Sequence, residues 1–161
     1  MPSTAPTPDS RPALDAAEVL DRATARGRAA DRPYRGDVTP AEAWVLHRAG
    51  AARLVDVRTQ AEWTYVGRVD GTPLVEWRAL GAQQPNPRFV EQLEQAVPRD
   101  LPVMFLCRSG VRSQAAAKAA SEAGWTAAFN ILEGFEGDLD DAQQRGRLGG
   151  WRHAGLPWVQ S

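Results

Sequence analysis

Between Pro102 and Ala123 the chain passes from an apolar run, through Cys107-Arg108-Ser109-Gly110-Val111-Arg112-Ser113, into an alanine-rich segment. The apolar run reads as a strand buried on both faces, and Ala115, Ala116, Ala119, Ala120 and Ala123 read as a helix slim enough to pack close to a sheet. Strand, tight loop and helix in that order commit the chain to an α/β architecture, because the helix must lie over the sheet that holds the strand. A loop of this kind gathers backbone N–H groups at a helix N-terminus, whose dipole adds positive charge. A sulfur placed there is held as an anion and is nucleophilic at neutral pH, with Arg108 and Arg112 adding full charges. The bland alternative is that Cys107 is a small buried residue at a strand end, as free cysteines often are.

The rest of the chain repeats the alternation. Its 161 residues suit one ordinary domain. Residues 1–12, rich in proline, serine and threonine, are expected to be a disordered tail, and residues 13–36 an N-terminal helix (Ala13 to Ala30) followed by a linker at Pro33-Tyr34-Arg35-Gly36. The main domain then spans residues 37–161. Thr39-Pro40-Ala41-Glu42 and Thr59-Gln60-Ala61-Glu62 are capping-box patterns that open helices. Arg53 to Arg58, Pro73 to Trp77, Val103 to Leu106 and Ala127 to Leu132 read as strands, and a further helix runs from Asn86-Pro87 to Pro98. The fold expected is α/β, with a mainly parallel central sheet and helices on both faces. Asp56 and Arg58, at the carboxyl end of their strand, either share the ligand edge with Cys107 or form a structural ion pair. Trp151 and Trp158, in an aromatic C-terminal tail, either stack on a ligand or cover exposed core.

Composition narrows the function. A net charge of −1 with mixed signs gives no support for a polyanion-binding protein, so nucleic acid is not an expected partner. The basic stretch from Arg22 to Arg35 reads as a solvated face. One cysteine excludes an intrachain disulfide and a cysteine-rich metal site, and His47 and His153 are far apart; no metal and no cofactor is expected. Neither a signal peptide nor a membrane-spanning run is visible, which together with the free cysteine points to the cytoplasm and to no membrane partner.

Asp56-Val57-Arg58 with Glu62-Trp63, the turn Gly67-Arg68-Val69-Asp70-Gly71-Thr72, and the loop CRSGVRS after an apolar strand together resemble a single rhodanese domain over roughly residues 37–158. Asp70 and Thr72 depart from the proline and alanine common in that turn, at positions that shape backbone. The resemblance implies a thiosulfate sulfurtransferase in which Cys107 takes a sulfane sulfur as a persulfide. It then passes the sulfur to a thiol or to cyanide, with a protein as a further acceptor the resemblance allows. Arg108 and Arg112 would orient the small anionic donor, Ser109, Gly110, Val111 and Ser113 would complete the active-site loop, and Asp56 and Arg58 would support it. The basic loop favours thiosulfate over 3-mercaptopyruvate, whose enzymes resemble CGSGVT here. Two other readings stand beside this one. Cysteine phosphatases and arsenate reductases resemble Cys-x5-Arg, one residue longer than the Cys-x4-Arg of Cys107 to Arg112; a persulfide carrier serving a larger enzyme would keep the same loop.

Overall fold

The computed structural model describes residues 15–160, so the tail expected over residues 1–12 lies outside the described residues. In chain order the elements are α1 (Ala16–Ala29), β1 (Gly36–Val38), α2 (Pro40–Arg48), β2 (Arg53–Asp56), α3 (Gln60–Tyr65), α4 (Phe89–Ala96), β3 (Val103–Leu106), α5 (Val111–Glu122) and β4 (Ala128–Ile131). The four strands pair in parallel in the order β1-β4-β3-β2. Both expected capping boxes form: Thr39 and Thr59 each accept from the amide three residues on, and Glu42 and Glu62 reach back to the cap amide.

Alternation along β3 explains the two-sided core. Val103 and Phe105 pack with Phe89 and Leu93 of α4 and with Ala116, Ala117 and Ala120 of α5. Met104 and Leu106 point the other way, into a second cluster with Val19 and Ala23 of α1 and Ala43 and Leu46 of α2. Cys107 continues the Val103–Phe105 series, so the strand's own pleat turns its side chain toward α5.

Two stretches differ from the sequence expectations, and the C-terminal tail decides between two that stood open. Gly36, read as linker, begins β1 and pairs with Phe129, while Tyr34 just before it is buried. Ala23 explains the need for glycine, since a Cβ on Gly36 would meet its carbonyl oxygen at 2.0 Å. The Pro73 to Trp77 strand is reduced to a bridge between Leu74 and Asp56, extended by Val75 and Trp77 amides donating to the carbonyls of Asp56 and Val57. Pro73 has no N–H, and β2 ends at Asp56, so the ladder has nothing longer to pair with. In the C-terminal tail Trp151 is fully buried in the α1/α2 cluster and donates its indole N–H to Pro157 O, whereas Trp158 packs edge-on against Phe135. Both tryptophans cover core.

Asp56 and Arg58 form an ion pair that is fully buried on both sides, with Nη2 2.6 Å from Oδ2 and Nε 2.9 Å from Oδ1. Removing a charge from water costs several kcal/mol unless its bonds are replaced. Here Asp56 also accepts the Arg58 amide, and the guanidinium reaches Gly67 O at 2.7 Å while lying 4.5 Å from the Phe135 ring, which leaves Nη1 as its one nitrogen with no hydrogen-bond partner among the described residues. Asp56→Asn leaves Arg58 charged, buried and unpaired, and is expected to lower the unfolding free energy by about 3–5 kcal/mol. Urea denaturation measures this; a loss below about 1 kcal/mol, the range of exposed pairs, would mean that the pair is not isolated from water.

Candidate active site

The loop that carries Cys107 is shorter than the heptapeptide read from sequence. β3 ends at Leu106, Gly110 adopts φ +106, and α5 starts at Val111, so Val111, Arg112 and Ser113 form the first helical turn. Glycine allows the reversal that brings the helix N-terminus back over the strand end. The Gly110 N–H donates to Cys107 Sγ at 3.1 Å, and Ser113 Oγ lies 3.2 Å from the same sulfur. Among the described residues Gly110 supplies the one amide bonded to Sγ, so the expected gathering of several N–H groups reduces to one for that atom. Cys107 is 1% exposed.

A second turn braces this loop from behind. Phe135 and Glu136 donate their amides to Cys107 O and Arg108 O at 2.8 and 2.9 Å. Gly134, at φ +67, lies so close that a Cβ there would stand 2.4 Å from the Arg108 carbonyl carbon and 2.5 Å from the Ser109 nitrogen. Backbone cannot give way as a flexible side chain can, so glycine is required.

Beside the loop opens a cleft of about 850 Å³, into which Arg78, Arg108, Arg112 and Arg145 project with Glu62, Glu136 and Leu80. Arg112 is committed: it forks onto Glu62 at 2.6 and 2.9 Å. Burial alone would push the Glu62 carboxyl up, but the Arg112 fork and the Thr59 amide outweigh it and hold the group at about 2. Arg78 and Arg108 make no ion pair among the described residues, and Arg145 donates to Gly137 O. The charge left to meet an anion therefore comes from Arg108, Arg78 and Arg145 more than from Arg112. Of the other loop residues, Ser109 is half-buried, Val111 is exposed and Ser113 is fully buried. Asp56 and Arg58 do not line the cleft; they fix Gly67 and Phe135.

Several residues that shape the site drew no functional reading from sequence. Glu62 stands in the sequence as a cap residue and as part of the Glu62-Trp63 motif, and its further role, as partner of Arg112 fifty positions away, has no local signal. Nothing local in the sequence singles out Gly134, Arg78 or Arg145. Asn130, in the middle of β4, accepts from Ser113 Oγ at 2.5 Å; a polar residue inside an otherwise apolar strand is the one clue the sequence offered. The Glu62–Arg112 pair has an acid limit. The carboxyl falls from 4.5 to about 2 on folding, so its contribution is complete above pH 4.5 and is lost as pH drops toward 2. Thermal melts should show wild type losing stability more steeply than Glu62→Gln across that window; equal slopes would contradict the pairing.

The comparisons with known proteins agree with this geometry. The Rhodanese-like domain family matches residues 39–140. The crystal structure of Rv0390 from M. tuberculosis is 47% identical, superposes with a TM-score of 0.72, and covers 80% of this chain and 99% of its own. The uncharacterized protein RP600 of Rickettsia prowazekii is 38% identical over 111 residues, spanning 66% of this chain and 82% of its own length. Thiosulfate sulfurtransferase GlpE of Actinobacillus succinogenes is 26% identical over 121 residues, 75% of this chain and 87% of that protein. A parallel four-stranded sheet, a cysteine at the carboxyl end of its β3 strand and a family match over most of the chain lead to one conclusion: the protein belongs to the rhodanese-like domain family.

Proposed function

We propose that the protein is a sulfurtransferase that moves a sulfane sulfur from a thiosulfate-like donor to a thiol or cyanide through a persulfide on Cys107. In the first half-reaction the Cys107 sulfur anion attacks the outer sulfur of thiosulfate. A new S–S bond forms, the old one breaks, and sulfite leaves with its electron pair. In the second, the acceptor attacks the outer sulfur of the persulfide and the Cys107 anion is returned. Charge balances in both steps, and no general base is needed once the thiol is ionised.

The observation that carries this reading is the placement of Cys107 Sγ. The sulfur is nearly closed off, bonded to the Gly110 amide, and next in the chain to an arginine that lines an open cleft. A site so tight around sulfur favours a reaction that adds one atom to it over one that must seat a whole phosphate, which is the difficulty for a phosphatase reading. The outer sulfur and the departing sulfite then lie toward the cleft, where Arg108, Arg78 and Arg145 offer charge to a dianion. A reducing cytoplasm suits a free cysteine of this kind. A protein acceptor also finds support: Leu80 on the cleft wall and Val111 beside Arg112 are 77% and 73% exposed.

Cys107→Ser is expected to abolish thiocyanate formation from thiosulfate and cyanide, a loss of at least about a thousandfold for a covalent nucleophile. Arg108→Ala should raise the KM for thiosulfate and weaken its salt dependence while the persulfide still forms. Activity persisting in Cys107→Ser would refute the assignment.

A further inference from the structure

A segment that precedes the family-matched region reaches the reacting sulfur through a buried line of hydrogen bonds. Asp37 on β1 is 2% exposed, and its carboxylate accepts from Tyr34 Oη at 3.0 Å, Arg32 Nε at 3.0 Å and Asn130 Nδ2 at 3.2 Å. Arg26 of α1 donates to the Asp37 carbonyl and also to Glu42, which ties the N-terminal helix to the same point. Burial first, and then the Asp37 carboxylate, hold the Tyr34 hydroxyl well above its ordinary range, so it stays a fixed donor.

Hydrogen-bond chemistry gives this line a direction. A carboxylate only accepts, so Asn130 must turn its NH₂ toward Asp37 and its Oδ1 toward Ser113. Ser113 has a single hydroxyl hydrogen, and the 2.5 Å contact assigns it to Asn130 Oδ1. What Ser113 presents to Cys107 Sγ, 3.2 Å away, is then a lone pair. A bare sulfur anion at Sγ would have the Gly110 amide as its donor and an oxygen lone pair facing it. The inner sulfur of a persulfide carries no charge and needs no such donor, because the negative charge sits one atom further out. We propose that Asp37 and Asn130 are positioning residues which, through Ser113, disfavour the bare Cys107 anion relative both to the protonated thiol, whose S–H the Ser113 lone pair accepts, and to the persulfide, so that the N-terminal segment tunes the charge on the reacting sulfur. This rests on the reading that Cys107 carries the persulfide.

Cys107 is the chain's one cysteine, so thiol chemistry reports it alone. The experiment compares sulfur-free wild type, Asn130→Leu, Asp37→Asn and Ser113→Ala, and each of the first two variants combined with Ser113→Ala. Two readouts are taken at neutral pH: the rate of iodoacetamide alkylation, and the ultraviolet thiolate absorbance with Cys107→Ser as blank. Asn130→Leu removes the acceptor, and Asp37→Asn lets the Asn130 amide turn over; either frees the Ser113 hydrogen to donate to the sulfur. Both are expected to raise the alkylation rate about fivefold to tenfold, with a matching rise in absorbance. Both effects should vanish in the Ser113→Ala background. Acceleration of equal size with and without Ser113 would mean that the variants merely loosen the loop, and would overturn the proposal, as would no change in either single variant. Asp37→Asn is nearly isosteric and carries the test alone if Asn130→Leu does not fold. Neither readout uses a sulfur donor. A protein that shows this coupling yet never accepts sulfur would therefore sink the sulfurtransferase reading and leave the hydrogen-bond assignment standing.

Discussion

The carbonyls of Cys107 and Arg108 accept hydrogen bonds from the amides of Phe135 and Glu136, and Gly134 fills the gap between the two turns so closely that no side chain fits. Those contacts determine where the sulfur stands. Most of what surrounds them serves to hold the second turn still. Phe135 is gripped by Arg58 at 4.5 Å on one side and by Arg152 and Trp158 on another. Trp151 returns its amide to Gly134 O. The buried Asp56–Arg58 pair, the aromatic tail and the turn thus form one wedge behind the reacting loop. A buried ion pair stabilises only when its remaining bonds are met; here its effect is to fix the backbone that the cysteine depends on.

Electrostatics in front of the loop are arranged differently. The chain as a whole is nearly neutral, so any attraction for an anionic donor must be local. Glu62 cancels much of Arg112 and in doing so ties α3 to the first turn of α5. This leaves a cleft lined by Arg78, Arg108 and Arg145 as well as by Arg112, with Arg108 the nearest to Cys107 in sequence.

Much of this was legible from residue order. The apolar run before Cys107, the alanines after it and the two capping boxes specify strand, helix and entry angle by local rules, and those elements formed where expected. What escaped was non-local. Gly36 looks like linker because a three-residue strand has no periodicity to detect, and only its pairing with Phe129 makes it part of the sheet. Asp56 and Arg58 were open between ligand edge and ion pair until the burial of both side chains decided it. The boundary at Val111 moved because Gly110 can adopt a positive φ and so start the helix earlier than the alanine run suggests. Asn130 and Asp37 meet across 93 positions, a separation that no window along the chain can span.

The central claim is that Cys107 itself carries the transferred sulfur. Intact mass after incubation with thiosulfate, followed by cyanide, tests it most directly. The account predicts a gain of one sulfur atom on wild type, removed by cyanide and absent from Cys107→Ser. An unchanged wild-type mass, or an equal gain on Cys107→Ser, would contradict it.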